Sequence, residues 1–495
     1  MNLQKNISPQ AASVCEILTS AGYQAYLVGG CVRDLVLCKN PKDWDITTNA
    51  TPEQILSCFQ SAGKRVVYEN NFGTVAIIHD DLQPDDPSHT IEVTPFRIEG
   101  EYSNQRHPDV VTFANTLDED LSRRDFTINA MAYDLATNTL IDKFGGQQDL
   151  KDGLIRAVGD PDMRFSEDAL RTLRAVRLMS EFGFVGETET IAAISKHAPR
   201  ILNISAERVS TEFLRIVDAP HAIDGMIALQ KFGLLEHFIP EFLEGIGCEQ
   251  NQAHAYDVWK HLLKTMEHGT VSGFPFHVKL AGLLHDIGKP RTRDWSDKKG
   301  DYTFYNHEVV GATMSYEILE RLRVPRNIAR PVVKLVRHHM FFSDSDVITL
   351  AGVRRMIARV GIDLVWDLID LRKCDRIGTG RPKEQPYRLR KFVSMVEESM
   401  RDPVSVKMLK IDGKKIMTLL NEPPGPRIGL VLSSLLGEVL EDPQKNTQEY
   451  LQSRATQLAK LPNDQLTKNA ELGNIRRDEE DERELSQIRK KYAVR

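Results

Sequence analysis

Two aspartates separated by one residue, Asp43 and Asp45 in the run DWDITT, follow nine residues after the run GGCVRD, which spans Gly29 to Asp34. In a strand, residues two apart point to one face, so the two carboxylates converge while Trp44 turns away. Such a pair can hold the divalent ions that support in-line phosphoryl displacement. Gly29 and Gly30 let a backbone approach a triphosphate closely, and the helix start behind them, which carries Arg33, favours negative charge. Glu92, in the run Ile91-Glu92-Val93-Thr94, shares a face with Thr94 and is a candidate third acidic group. A charge on an otherwise apolar central strand is costly unless paired or metal-bound. A surface-facing glutamate on an edge strand is the competing reading.

Arg124, Asp125 and Asn129 supply a donor fork, an acceptor and an amide, the groups that fix triphosphate charge and ribose hydroxyls. Asp168 and Arg171 lie three apart on one predicted helix and would share a face. A carboxylate accepts from an exocyclic amine, and a guanidinium donates to a ring nitrogen. Cytosine and adenine both offer an amino group beside a ring acceptor; uracil and guanine offer the reverse order. One Asp/Arg pair can thus admit C and A and reject U and G. The alternative is an ordinary ion pair on a helix surface. Arg174 and Arg177, further along the same run, complete the nucleotide-binding candidates.

The elements that must position these groups are short. Tyr26–Gly29, Trp44–Thr47, Thr74–His79, Thr90–Phe96 and Thr139–Phe144 read as strands. Gln54–Ser61 reads as a helix opened by Thr51 and Pro52. A polar stretch between Phe96 and Phe113 has the composition of a mobile loop. After about Gly145 the 3.6-residue period dominates and the chain should be all-α. Beyond Leu461 a highly charged run reads as a solvated helix or a disordered tail.

Bulk properties set the frame. A chain of 495 residues exceeds one hydrophobic core. A net charge of −6 means that any RNA must be held by local basic patches rather than by a global field. The six cysteines are scattered without a C-x-x-C pair, as in a reducing compartment, and no apolar run spans a membrane. A cytoplasmic protein with no membrane partner is expected.

The ordered set GGCVRD, DWDITT, LSRRDFTINAMAYD (Leu121 to Asp134), SEDALRTLRAVRL (Ser166 to Leu178) and AERVSTEFLRI (Ala206 to Ile216) resembles the polymerase-β superfamily of nucleotidyltransferases. Within it the match is to the class II branch that holds bacterial CCA-adding enzymes and poly(A) polymerases. Further on, HAYDVWKHLL (His254 to Leu263), LAGLLHDIGKP (Leu280 to Pro290), YNHEVVGA (Tyr305 to Ala312), VRHHM (Val336 to Met340) and LRKCDRIG (Leu371 to Gly378) resemble an HD-superfamily phosphohydrolase. This second resemblance implies the metal ligands His261, His285, Asp286 and Asp375, with His307 and one of His338 or His339 added. Such ligands suit Mn, Ni, Fe or Mg; Mg2+ is the ion implied for the head.

The resemblance implies an α+β chain: a polymerase-β-type nucleotidyltransferase α/β head, an all-α neck, an HD-type helical body and a helical tail. The boundaries expected are 1–145 for the head, 146–220 for the neck with the base-reading motif, 221–400 for the HD-type domain, 401–463 for a tRNA-binding tail and 464–495 for a charged extension. The implied activity is addition of CCA to a tRNA 3′ end from CTP and ATP without a nucleic-acid template, the oligomeric state being left open. NFGTVAI (Asn71 to Ile77) is similar to the H-G-T-V strand of CCA-adding enzymes, with Phe72 at the His position. Arg97-x-Glu99 is similar to the opening of their flexible loop. The alternatives are a poly(A) polymerase and an RNA-binding protein with a vestigial catalytic site. Lys407, Lys410, Lys414, Lys415 and Arg427 in the tail are candidates to meet phosphates.

Overall fold

The computed structural model describes residues 3–68, 73–99, 111–252, 254–341, 348–401 and 405–494. Asn71 and Phe72 lie outside these residues, as does most of the expected loop between Phe96 and Phe113. The chain forms two compact units, Met1–His339 with Asp370–Pro382, and Met340–Ile369 with Lys383–Arg495.

The first unit opens with a mixed sheet. Its strands are β1 (Ala25–Val28), β2 (Trp44–Thr48), β3 (Arg65–Tyr68), β4 (Val75–Ile78) and β5 (Thr90–Pro95). The chain then makes a separate two-stranded ribbon from β6 (Arg97–Glu99) and β7 (Val111–Phe113), and returns to the sheet with β8 (Met131–Asp134) and β9 (Thr139–Asp142). The sheet order is β3-β4-β5-β2-β1-β8-β9, with β2 and β5 parallel and the other pairs antiparallel. Helices Pro9–Ser20 and Pro52–Ser61 pack on it through buried Val14, Leu18, Ile55 and Phe59. Thr51 and Gln54 close a capping box on the second of these helices, with Pro52 in its first turn.

Strand β3 was not expected from the sequence, and its burial explains why. Arg65, Val67 and Tyr68 are all exposed, so RVVY shows no alternation. Strand β8 is the opposite case: Met131, Ala132 and Tyr133 are all buried, again without alternation. The arms Arg97–Glu99 and Val111–Phe113 of the expected loop pair as an antiparallel ribbon.

The neck follows, with helices Pro161–Glu167, Leu170–Phe182, Thr188–His197, Ala206–Asp218 and Ala222–Lys231. One expectation is corrected here. Asp168 and Arg171 do not share a helix, because Asp168 is the extended residue (φ −139°, ψ 105°) that ends the first of these helices. Its Oδ1 accepts from the Leu170 N–H at 3.0 Å, so the carboxylate bonds the start of the next helix instead of riding on a continuous one.

The rest of this unit is helical: Val258–Val271, Phe276–Leu284, His307–Arg321, Arg326–His338 and the later part of Val365–Gly378, with a hairpin of Asp294–Ser296 and Asp301–Thr303. The second unit has two cores. One gathers Val353, Ile369, Phe392 and Val396; the other gathers Ile416, Val431, Leu435, Leu451 and Leu466. The charged run past Leu461 is one helix, Asn463–Lys491. It packs on Pro426–Glu441 at a point where a Cβ on Gly437 would lie 2.5 Å from the Gly473 Cα, so glycines set the approach. Its charges are paired: Asp481 and Glu484 with Arg401, Arg489 with Glu398, and Lys491 with Glu397. Among the described residues no helix is long and apolar enough to cross a membrane.

Candidate active site and metal centre

The chain leaves β1 at Gly29, whose φ of +81° is a left-handed conformation that glycine adopts without strain. Helix Gly30–Val36 starts there. A Cβ on Gly29 would lie 3.2 Å from Arg124 Nη1 and 3.5 Å from Asp45 Oδ2, and one on Gly30 would lie 3.8 Å from Asp43 Oδ1. The two bare backbone positions therefore face the two carboxylates and the guanidinium groups of Arg124 and Arg33, the latter 3.6 Å from a Cβ on Gly30. Burial, then the neighbouring Asp43, push the Asp45 carboxyl up to about 6 against the pull of Arg124. Two crowded carboxylates with one opposing guanidinium are what a divalent cation relieves, so the donor set fits a metal.

Glu92 stands beside Asp45 in the parallel β2–β5 register, on the same face, with Ile91 and Val93 buried on the other. It is exposed, so the cost of burying a charge does not arise. Among the described residues, the only clusters of three or more ligand atoms within 4.8 Å of one another lie in the helical body, so Glu92 does not close a three-carboxylate set with Asp43 and Asp45.

The cationic side is held by a buried aspartate that sequence reasoning missed. Asp120 bonds Arg123 at 2.7 Å and Arg124 at 3.1 Å, and accepts from Thr47 at 3.3 Å. Burial would raise its carboxyl, but Arg124 and Arg123 outweigh burial and hold it below the usual range. Arg33 donates to Asn129 Oδ1 at 2.8 Å and to Asp34 at 2.8 Å, and lies over the Phe182 ring at 4.8 Å. Asp125 is buried. It accepts from the Phe126 N–H and from Asn129, and pairs with Arg174 at 2.7 Å. Burial opposes its ionisation, yet Arg174 and Arg171 bring it down to about 2.

Asp168 Oδ2 pairs with Arg208 at 2.7 Å, while Arg171 pairs with Glu167 at 2.7 Å and donates to the Arg123 carbonyl at 3.2 Å. Each member of the expected base-reading pair thus has another partner. Arg177 is buried between Glu212 at 2.5 Å and Glu181 at 3.0 Å, a bridge inside the neck.

The second cluster is buried and built from five helix termini and faces. His261 comes from Val258–Val271, while His285 and Asp286 follow Phe276–Leu284. His307 opens His307–Arg321, His339 ends Arg326–His338, and Asp375 lies on Val365–Gly378. Asp286 sits between two ligand sets. Its Oδ2 lies 3.0 Å from His261 Nε2 and 3.2 Å from His285 Nε2, with Asp375 Oδ1 3.5 Å from His261 Nε2. Its Oδ1 lies 3.2 Å from His307 Nε2 and 3.4 Å from His339 Nε2.

The rings of His285, His307 and His339 are fixed because each Nδ1–H donates to a backbone carbonyl, of Gly282, Phe304 and Val336 respectively. That turns every Nε2 inward. Against its burial, the neighbouring Asp286 and Asp375 carboxylates carry His285 up to about 9. The Nε2 atoms of His307 and His339 stand 3.2 Å apart beside a carboxylate oxygen that has no hydrogen-bond donor. Imidazole nitrogens and carboxylate oxygens gathered this closely attract a cation, and the donor set fits a metal. Of the adjacent pair, His339 stands in one of these clusters and His338 in neither. Two further residues of this centre were within the quoted segments but not named as part of it. Lys289 Nζ lies 2.5 Å from Asp286 Oδ2 and 3.3 Å from His254 Nε2. Burial, then Lys289, bring His254 down to about 3, so it stays neutral.

In the tail, Lys407, Lys410, Lys414 and Lys415 are exposed around the start of helix Gly413–Leu420. Arg427 is engaged by the carbonyls of Ala459 and Leu461 and by Asn463, and so clamps the fold.

Three family models match this arrangement along the chain: a poly A polymerase head domain over residues 25–156, a probable RNA and SrmB-binding site of polymerase A over 183–245, and an HD domain over 252–377. The chain is similar to a crystal structure of a Bacillus stearothermophilus CCA-adding enzyme in complex with CTP, at 25% identity and a TM-score of 0.57, covering 91% of this chain and 98% of that one. A Thermotoga maritima CCA-adding enzyme complexed with tRNA shares the fold at 20% identity and a TM-score of 0.51, covering 92% and 97%. The CCA-adding enzyme of Geobacillus stearothermophilus is 40% identical over 243 residues, 49% of this chain and 56% of the relative. That of Geobacillus thermodenitrificans is 31% identical over 449 residues, 89% of this chain and 95% of the relative. With kinship running through nearly the whole of both chains, this chain belongs to the family of CCA-adding enzymes.

Proposed function

We propose that this chain adds C, C and A in turn to the 3′ end of tRNA from CTP and ATP, taking its template from protein side chains. The observation that carries the reading is the pair Asp43 and Asp45 set against the bare backbone of Gly29 and Gly30, with Arg124 beside them. Mg2+ held by Asp43 and Asp45 would stabilise the charge that develops at the transferred phosphoryl group. Gly29 and Gly30 leave room for the triphosphate; Arg33 and Arg124 hold its charge; Asp125 and Asn129 meet the ribose. Glu92 extends the acidic face beside Asp45. Asp168 and Arg171 read the base edge once the nucleotide displaces Arg208 and Glu167, and Arg174 holds Asp125 ionised for that task. Lys407, Lys410, Lys414 and Lys415 serve the tRNA backbone from the tail.

The HD-type part is a metal-dependent phosphohydrolase in this reading. His261, His285 and Asp375 would hold one divalent ion and His307 and His339 a second, with Asp286 between them. The abundance of imidazole favours Mn, Fe or Ni over Mg. Such ions supply Lewis acidity and a nucleophilic bound water. We place the protein in the cytoplasm, where its six free cysteines would stay reduced. The test is incubation with tRNA lacking CCA and each labelled NTP, followed by sequencing of the products. Termination after CCA supports the reading; long A tracts from ATP alone would replace it with poly(A) polymerase.

A further inference from the structure

Helix Arg326–His338 has two unlike sides. Val332, Leu335 and Val336 are buried where it packs on His307–Arg321 and Phe276–Leu284. The other side carries Arg326, Arg330, Lys334 and Arg337, at steps of four, four and three residues, which keep to one face of a helix. The three arginines are exposed and Lys334 is half-buried.

From Arg321 to Ser343 the chain has six Lys or Arg and no Asp or Glu, although acids outnumber bases 70 to 64 overall. An ordinary solvated face mixes the two signs. Helix Asn463–Lys491 does so, and its charges find partners. Here Arg326, Arg330 and Lys334 form no ion pair with any described residue. Glu308 stands 3.9 Å from Arg337, a loose contact at one end of the row.

A row of unmatched cations on a chain of net charge −6 is the local basic patch that a polyanion needs. The four charges span about 16 Å in steps of about 4.5–6 Å, near the spacing of successive phosphates along an RNA strand. Three of them are arginines, whose planar fork grips phosphate oxygens two at a time. Tyr316, half open to water on His307–Arg321, lies close enough for the Arg326 charge to act on its phenol, and so sets an aromatic ring beside the row.

We infer that this face of Arg326–His338 binds the sugar-phosphate backbone of RNA, by charge and without reading sequence. It lies outside residues 183–245, which match the RNA-binding family model, and apart from the lysines of the tail. That the RNA is tRNA rests on the proposed function; the surface itself does not.

The full chain is compared with R326A/R330A/K334A, with the charge-keeping R326K/R330K, and with R477A/R483A, which removes two exposed arginines of Asn463–Lys491. Melting curves by circular dichroism check that all four fold alike. Filter binding to a tRNA and to a blunt RNA duplex is then followed across a range of salt concentrations. The triple variant should bind both RNAs roughly tenfold or more weakly at ~0.1 M salt, with the slope of log Kd against log salt smaller by about two to three. The other two variants should stay within about twofold of the parent. An unchanged slope in the triple variant, or an equal loss in R477A/R483A, would overturn the inference. Displacement of the duplex by polyglutamate of equal charge, as readily as by more duplex, would overturn it in favour of an acidic protein partner. A chain that binds RNA through this face yet extends no tRNA would leave the surface standing and remove the proposed function instead.

Discussion

The head and the helical body both gather carboxylates for metal, but in opposite ways. In the head, Asp43 and Asp45 lie at the rim of a sheet face that also carries exposed Glu92, with basic side chains around them. In the body, four histidines and two aspartates are buried together, with the rings of His285, His307 and His339 locked by backbone carbonyls. On the proposed reading the head would offer an ion only Asp43 and Asp45, and the nucleotide's phosphates would complete the shell. The body supplies a full set, which suits a resident ion. A site that exchanges its metal with each substrate can therefore be told from one that keeps it by counting buried ligands.

The largest effect should come from breaking the head. Asp43→Asn or Asp45→Asn should reduce nucleotide addition by more than a hundredfold in single-turnover assays, since each ~1.4 kcal/mol of lost stabilisation costs tenfold. Binding of tRNA in a filter assay should stay nearly unchanged. Retention of a tenth of the activity by both variants would remove them from the catalytic site.

Breaking the body should separate the two functions. Asp286→Asn should deplete tightly held transition metal, read by elemental analysis, and abolish phosphate-ester hydrolysis. Addition of CTP and ATP should remain within about threefold, because distant sites without shared partners act additively.

A smaller effect sharpens the ligand set. His339→Ala should weaken metal uptake tenfold or more, while His338→Ala leaves it near wild type. Equal losses would mean that the helix end rearranges when metal binds.

The smallest effect concerns stability. The metal-free native head holds a proton on Asp45 up to about pH 6 that the unfolded chain releases near pH 4. Stability therefore falls as pH rises through that window, and the full cost is present above it. Asp45→Asn should raise the melting temperature of EDTA-treated protein by a few degrees at pH 7.5, and by nothing near pH 4. An equal gain at both values would trace the effect to packing rather than charge.

How far the sequence could be read depended on the kind of signal. Asp43, Asp45 and the Gly29–Gly30 turn were legible because a two-residue strand period and a glycine pair are local. The histidines and aspartates that meet in the body were legible by resemblance. Choosing His339 over His338 was not, since adjacent residues on one turn differ only in direction, and direction came from the Val336 carbonyl. The break at Asp168 was hidden because SEDALRTLRAVRL keeps a helical period across it, while one side chain bonding the Leu170 N–H decides otherwise. Asp120 was invisible as a capping-turn acid until the fold brought Arg123, Arg124 and Thr47 to it. The charged C-terminal run looked solvated because its partners, Arg401, Glu397 and Glu398, lie far off in sequence.

One of these features governs the order in which the molecule can be completed. Asp375 belongs to Asp370–Pro382, which the chain reaches only after Met340–Ile369 has departed into the other unit. A chain emerging during synthesis therefore presents His261, His285, Asp286, His307 and His339 well before the last carboxylate arrives. When an ion does join His261 to Asp375, it closes a loop of about a hundred residues. Acting as a cross-link, that closure removes roughly 4–5 kcal/mol of freedom from the unfolded chain. The ion in the helical body would thus also be a clasp, fastening a late segment onto an early one and marking the moment when the first unit is whole.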